Sequence, residues 1–335
     1  MARTLLFAIN FILVISCLHQ EANGFSNRPR GIFIQVSNAD DPSIISRIEA
    51  WLQNICAKNK KLGGADDMND LVLIDVAAEK PDGSLEMKFR VLDKVLPFAT
   101  GGNKQCFGNL FVGTVLLEWK GAGNPYQEGI ANSEFRVRNL NASKYVAQQF
   151  LKRYPNVRVN WYITYESNLN YLENFVVKEN YKKFLGNLIK ELTLLRSGAV
   201  MWSPTFWDLW NSTSPSTKLR LGSNLQDLFQ SLAKDSRPGI TWMNLQDSVG
   251  KSAEGCFKMT PADAVKWYNF VKDLYPFPSM QMNVEQFKTL SDCKSLVENE
   301  PDVQIQREKY YASQGVNMGA AFEIRYWRER ENTLR

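Results

Sequence analysis

The sequence predicts a single-domain (β/α)8 TIM barrel of the α/β class. Three observations predict it. Eight short apolar runs rich in β-branched and aromatic residues recur along the chain, stretches of helical periodicity separate them, and no internal repeat or low-complexity tract breaks the alternation. The runs are continuous rather than alternating, which suits strands buried on both faces of a parallel sheet. Strands alternating with helices imply βαβ units, and eight of them in about 300 residues fit a closed barrel. An open doubly wound sheet is the rival, and it would usually show a glycine-rich first turn.

The expected strands are Gly31–Ser37, Leu71–Val76, Leu110–Glu118, Val157–Tyr165, Ala199–Ser203, Ile240–Leu245, Met280–Val284 and Ala320–Ile324. Asp41 followed by Pro42 opens a helix after the first, since a carboxylate caps free backbone N–H groups and proline suits the first helical position. Pro81-Asp82-Gly83 is a turn signal and predicts a β-hairpin over 78–89. Further helices are expected over Asn141–Tyr154, with Tyr145, Gln149 and Leu151 near its core face, over Tyr171–Leu195, and from Thr260-Pro261 onward.

Composition narrows the function classes. The 335 residues are 44% hydrophobic and 22% charged, which excludes disorder, collagen and a polytopic membrane protein. The net charge of +5 is mild, and the densest basic stretch is only Lys58-Asn59-Lys60-Lys61. A nucleic-acid binder would carry a stronger and more clustered footprint, so no nucleic-acid partner is expected.

Residues 1–24 read as a secretory signal peptide, leaving 25–335 as the barrel domain. Arg3 supplies the basic start, Leu5 to Ser16 an apolar run too short for a bilayer, and Ala22-Asn23-Gly24 small residues for cleavage. An uncleaved anchor is the alternative. After cleavage no membrane association is expected, and the protein reads as secreted and extracellular. Cys17 leaves with the signal, and Cys56, Cys106, Cys256 and Cys293 remain. An even count in an oxidising compartment suggests two disulfides with three possible pairings; spacing weakly favours Cys56 with Cys106 and Cys256 with Cys293. Asn141 and Asn211 head N-glycosylation triplets.

The one histidine, His19, falls within the signal. The mature chain then cannot build a Ser-His-Asp triad or a Cys-His dyad, and a zinc site would lack its usual nitrogen ligand, so no metal is expected. No dinucleotide or phosphate-loop motif occurs. With the cysteines paired, carboxylates are the natural acid–base groups.

Barrel active sites lie at the C-terminal ends of the strands. Glu166 ends the fourth run and Glu285 the seventh, across the barrel from one another. Two such carboxylates can perform retaining glycoside hydrolysis, one as acid/base and one as nucleophile, without a cofactor. Each could equally be an ordinary polar loop residue. Tryptophans cluster near strand ends, and flat aromatic faces pack well against sugar rings. Trp119, Trp207 and Trp327 lie past strand ends and could line a cleft, whereas Trp161 and Trp242 lie within strands and suit the core. Asp247 is a third carboxylate, able to hold a substrate hydroxyl or to serve as acid if Glu166 points away. Tyr165, Gln246 and Asn283 stand beside these groups as candidate sugar contacts. Glu323 lies inside its strand and could pair with Arg325.

Several segments together resemble a family. Trp161-Tyr162-Ile163-Thr164-Tyr165-Glu166, Ser203-Pro204-Thr205-Phe206, Gln246-Asp247-Ser248-Val249-Gly250 and Asn283-Val284-Glu285-Gln286-Phe287 resemble, in order and spacing, motifs of glycoside-hydrolase-like TIM barrels of the domain-of-unknown-function 4434 type. The opening Gly31-Ile-Phe-Ile-Gln35, Val112-Gly113 and Trp119 are similar as well. The resemblance spans roughly residues 31–327. It implies a carbohydrate substrate or ligand, with Glu166 and Glu285 in the positions of acid/base and nucleophile. Ser248 stands where that pattern has glycine, which puts the local turn geometry in doubt, because glycine alone adopts positive φ freely. A secreted lectin-like or extracellular-matrix protein on the same barrel is the non-catalytic alternative, since fold does not guarantee activity.

Overall fold

The computed structural model describes residues 28–39, 41–62, 68–101, 103–235, 238–253 and 256–326. The expected signal peptide, His19 and Trp327 lie outside them. All eight expected strands form. They are β1 (Gly31–Gln35), β2 (Asp70–Ile74), β5 (Asn109–Gly113), β6 (Asn160–Ile163), β7 (Val200–Trp202), β8 (Trp242–Gln246), β9 (Ser279–Asn283) and β12 (Ala320–Ala321). Each pairs in parallel with the next in the order β12-β1-β2-β5-β6-β7-β8-β9. Parallel bridges Met282–Met318 and Glu285–Phe322 join the two ends of that sheet. The fold is a (β/α)8 barrel, and the open-sheet alternative falls.

Helices follow the strands: α1 (Pro42–Leu62), α2 (Phe89–Val95), α3 (Ser133–Arg153), α4 (Phe175–Leu195), α5 (Pro215–Asp235), α6 (Pro261–Leu274) and α7 (Pro301–Ser313). Asp41 accepts from the Ser43 backbone N–H at 2.7 Å, and Thr260 from that of Asp263 at 3.1 Å, each just before the proline that opens its helix. Such a cap is worth about 1 kcal/mol. Helix α3 starts eight residues before the expected Asn141, because Asn132 caps it through the Phe135 N–H at 2.9 Å. Its buried face is Phe135, Asn139, Ala142, Val146 and Phe150, so Tyr145 points outward instead. The segment expected to be helical from Tyr171 opens as a 3-10 turn, Leu169–Glu173. Asn174 then caps α4.

Two hairpins decorate the barrel. The expected one, β3 (Ala77–Glu79) with β4 (Leu85–Met87), turns at Gly83 with φ of 82°. A second, β10 (Phe287–Thr289) with β11 (Leu296–Glu298), follows β9 and was not expected. Disulfides Cys56–Cys106 and Cys256–Cys293 form, the pairing that spacing favoured. The second ties the loop after β8 to the turn of the β10–β11 hairpin, and a closed loop of this kind adds roughly 2–4 kcal/mol.

Two apolar layers hold the barrel. Phe33, Val72, Phe111, Tyr162, Met201 and Ala320 fill its interior, with Phe33 against Tyr162 at 5.3 Å. Trp161, Ile163 and Trp202 face outward and pack against the helices. Alternation along β6 thus sends Tyr162 inward and its neighbours Trp161 and Ile163 outward, as period-2 strand geometry requires.

Candidate active site at the C-terminal rim

Glu166 lies just past β6, in phase with the inward-facing Tyr162, and is partly exposed. Its Oε1 accepts from the Tyr162 hydroxyl and its Oε2 from Gln246 Nε2 at 2.6 Å. Burial raises its pKa. The Tyr162 hydrogen bond, the Lys251 charge and the Gln246 amide oppose that rise in decreasing order and do not cancel it.

Glu285 lies two residues past β9 and is only 2% exposed. Its Oε2 accepts from the Lys251 backbone N–H at 3.1 Å, and its Oε1 faces the Lys251 ammonium at 3.5 Å. Burial above all, with the neighbouring Asp247, pushes its pKa up to about 7, although Lys251 and Arg307 act against the rise. The loop carrying Lys251 approaches this closely because position 250 is glycine: a Cβ there would sit 2.6 Å from the Phe287 carbonyl oxygen and 2.8 Å from Glu285 Cβ. Ser248 in the same loop adopts φ of 54°, so the chain accepts the left-handed turn without glycine.

Lys251 and Gln246 connect the two carboxylates. Lys251 Nζ donates to Gln246 Oε1 at 2.8 Å, and Gln246 Nε2 donates to Glu166. A continuous polar chain therefore runs Tyr162–Glu166–Gln246–Lys251–Glu285 across the rim. Sequence reasoning named Glu166, Gln246 and Glu285 in this chain and missed Tyr162 and Lys251.

Asp247 is elsewhere. It is 1% exposed, accepts from Tyr311 Oη at 3.0 Å, and faces Arg307 Nη1 at 3.6 Å. Its other oxygen accepts from the backbone N–H groups of Val249 and Glu285. Burial raises its pKa against the opposing pull of Arg307. Arg307 also donates to the Glu285 carbonyl oxygen. Asp247 thus anchors the Glu285 backbone from below, and its expected sugar contact is corrected to this role: its oxygens are taken up by protein groups. Tyr165 is corrected too. It faces outward, in the opposite phase from Glu166, and its ring is buried among Tyr126, Tyr181 and Phe184 while its hydroxyl donates to the Pro125 carbonyl. Asn283 is 1% exposed, donates to Ser203 Oγ at 3.1 Å and accepts from the Phe322 N–H at 3.0 Å. It sits in the barrel interior beneath the rim, so its expected sugar contact is also corrected. Glu323 pairs with Arg325 at 2.7 Å as expected.

A groove of about 490 Å³ is lined by Ser37, Asp75, Glu79, Leu116, Glu118 and Trp119 among others. Trp119 keeps its indole N–H on the Ala122 carbonyl at 3.1 Å and rests edge-on against Phe135. Glu79 forms one wall, held by Arg138 at 3.0 Å and by the Glu118 N–H at 3.1 Å. A second groove of about 460 Å³ lies between Gln127, Asn168, Asn170 and Asp208. Trp207, 39% exposed, donates its backbone N–H to Asn170 Oδ1 at 3.1 Å at the edge of that groove.

Asp75 is the site residue most plainly missed. It follows β2 with φ of 50°, and burial first, then the Glu166 charge, raises its pKa to about 7. The signal was present: a lone aspartate interrupts the otherwise apolar Leu71–Val76 run. Among the described residues no group of three or more His, Cys, Asp or Glu is arranged to hold a metal, and no helix is long and apolar enough to cross a membrane. Asn141 and Asn211 are both exposed.

No family model matches the chain, and no curated protein matches it. Solved structures do. The chain is similar to a structure described as a "putative alpha-L-fucosidase" from Bacteroides thetaiotaomicron, with a TM-score of 0.60, 13% identity, and 90% of this chain and 86% of the other covered. It is also similar to a β-galactosidase from the psychrophilic Marinomonas ef1, with a TM-score of 0.51, 9% identity and 88% of this chain covered. There it spans 54% of the larger protein. The chain shares the barrel fold of these proteins. At these identities the likeness concerns the fold alone.

Proposed function

We propose that the protein is a secreted glycoside hydrolase that acts on glycans with retention, using Glu166 as acid/base and Glu285 as nucleophile. One observation carries this reading. Two carboxyl groups stand at the ends of β6 and β9 on one rim, with different partners, and are joined through Gln246 and Lys251. Glu166 has tyrosine and amide partners that leave its raised pKa in place, as a proton donor requires. Burial holds the Glu285 pKa at about 7, and Lys251 and Arg307 pull it toward the ionised form that a nucleophile requires.

In the first step Glu166 gives its proton to the glycosidic oxygen as a Glu285 oxygen bonds to the anomeric carbon, and the aglycone leaves. In the second, Glu166, now a carboxylate, takes a proton from water. That water attacks the anomeric carbon and frees Glu285. Lys251 covers Glu285 and moves aside as the sugar enters. Trp119 and Trp207 offer ring faces along the approach, Trp327 is a further candidate, and Gln246 orients Glu166. Carbohydrate is the partner, with no cofactor. The segment 1–24, the two disulfides and the glycosylation triplets at Asn141 and Asn211 support secretion.

The test is a screen of neutral and acidic oligosaccharides with the full chain, following the anomer of the first product by proton NMR. Retention that disappears in Glu285→Gln supports the reading; inversion, or turnover undiminished in both Glu166→Gln and Glu285→Gln, sinks it. One observation favours a non-catalytic glycan binder instead: Glu285 is 2% exposed beneath Lys251. Binding without turnover, unchanged by Glu285→Gln, would select it.

A further inference from the structure

Burying a carboxyl without a full set of hydrogen bonds is costly, and such a group in a folded protein calls for a physical reason. Asp75 is of this kind. Its Oδ1 is buried and finds no hydrogen-bond partner in the protein, and the Leu116 backbone N–H serves the carboxyl. Arg or Lys side chains do not figure among the groups acting on it; the charge it feels is that of Glu166, a like charge. The backbone bends into the left-handed region to place it there, at φ of 50°. Aspartate tolerates that region better than most residues.

The surroundings define a cluster. Tyr162, from β6, and Tyr126, from the turn Pro125–Gly129, each feel both Asp75 and Glu166. Tyr162 donates directly to Glu166. The charge of Lys251 acts on Glu166, and its Nζ donates to Gln246. Asp75 also lines the 490 Å³ groove, with Glu79 and Glu118 farther along its walls. Two carboxyls confined together in low dielectric do not both ionise readily. The first to lose its proton makes the second hold on, and the titration belongs to the pair.

We propose that Asp75 is a working member of the site: it and Glu166 form a carboxyl pair beside the groove, and the pair rather than Glu166 alone supplies the acid. The inference rests on the reading of Glu166 as the acid of a glycan-processing site. Asp75 is a positioning residue in it. Its carboxyl keeps the shared proton available at neutral pH, and Glu166 delivers that proton to the glycosidic oxygen. An unpaired oxygen on Asp75 is then an intelligible feature, because a protonated carboxyl carries no net charge to bury.

The experiment is carboxyl-carbon NMR on the full chain, labelled at the aspartate and glutamate side chains, for the unaltered protein, Asp75→Asn and Glu166→Gln. The signal missing from Asp75→Asn is expected to titrate near neutrality in the unaltered chain. In Glu166→Gln its midpoint is expected to fall by about one pH unit or more. An Asp75 signal that titrates in the ordinary carboxylate range, or that ignores Glu166→Gln, overturns the pair. Asparagine tolerates positive φ, and the Glu166→Gln arm does not depend on replacing Asp75. Coupled titration in a chain that hydrolyses no glycan would remove the hydrolase reading and leave the pair standing. Hydrolysis without coupling would do the reverse. On any aryl glycoside the chain does cleave, Asp75→Asn is expected to move the alkaline limb of kcat/KM to lower pH by about one pH unit, a change that a merely structural residue would not produce.

Discussion

The two ends of the rim each hold a pair of carboxyl groups, buried at the β9 end and partly exposed at the β6 end, and give them different partners. At the β9 end, Glu285 and Asp247 are met by Arg307 and Lys251, and Tyr311 and backbone N–H groups take up remaining oxygens. At the β6 end, Glu166 and Asp75 are met by tyrosines and one amide, and one Asp75 oxygen goes without a partner. Burial raises the pKa of all four carboxyls, that of Glu285 to about 7, but the cations of the β9 end pull Glu285 toward the ionised form, while the Glu166 charge pushes Asp75 further toward the protonated one. On the proposed reading the cation-rich end suits a nucleophile, and the tyrosine-lined end suits an acid.

The largest expected effects come from removing either working carboxyl. Glu166→Gln is expected to cost about 10²–10⁴-fold in kcat on substrates with poor leaving groups, the usual share of general acid catalysis. Activated aryl glycosides should suffer less, and an equal loss on both classes would break the assignment. Arg307 tests the other end through stability. Arg307→Met leaves Asp247 buried without its guanidinium, and losing one member of a buried pair costs about 3–5 kcal/mol. Denaturant unfolding reads this, and a loss below about 1 kcal/mol would mean that the β9 end is not charge-compensated.

Lys251→Met sharpens the comparison more gently. Lys251 acts against the rise of the Glu285 pKa, so its removal is expected to raise that pKa further and to move the acidic limb of kcat/KM to higher pH, by about one pH unit. An unmoved limb would show that Lys251 serves only as a cover. The smallest effect concerns Asp75. Its pKa in the fold, about 7, exceeds the ordinary 3.8. The folded state therefore binds the proton more tightly, and stability falls as pH rises from about 4 to about 7. Asp75→Asn should stabilise the chain by about 1–2 kcal/mol at pH 7.5 and leave it unchanged near pH 4. Thermal melts at the two pH values decide it, and equal shifts at both would remove the titration argument.

Much of the barrel was legible because burial writes itself into apolar runs, and all eight strands overlap the expected stretches. The disulfide pairing was legible only as a preference, since spacing constrains loop length and not geometry. Glu166, Gln246 and Glu285 were legible because strand ends mark the rim of such a barrel. Tyr165 misled for a reason the same strand supplies: it sits beside Glu166 in sequence and one step out of phase in space, so it faces the helices. Asp247 misled because its partners Arg307 and Tyr311 come from α7, about 60 residues on, where nothing local announces them. Asp75 was hidden inside a run read as a strand, although a lone aspartate interrupting an apolar run is itself a marker.

The measurement that tests the central claim most directly is chemical trapping of the nucleophile. The full chain would be incubated with a panel of 2-deoxy-2-fluoro aryl hexosides, which slow release of a covalent glycosyl ester, and then read by intact mass and peptide mapping. The account predicts one glycosyl group per chain, carried on Glu285 and absent from Glu285→Gln. An adduct on another residue, or hydrolysis of the parent glycosides with inversion and no adduct, would contradict it.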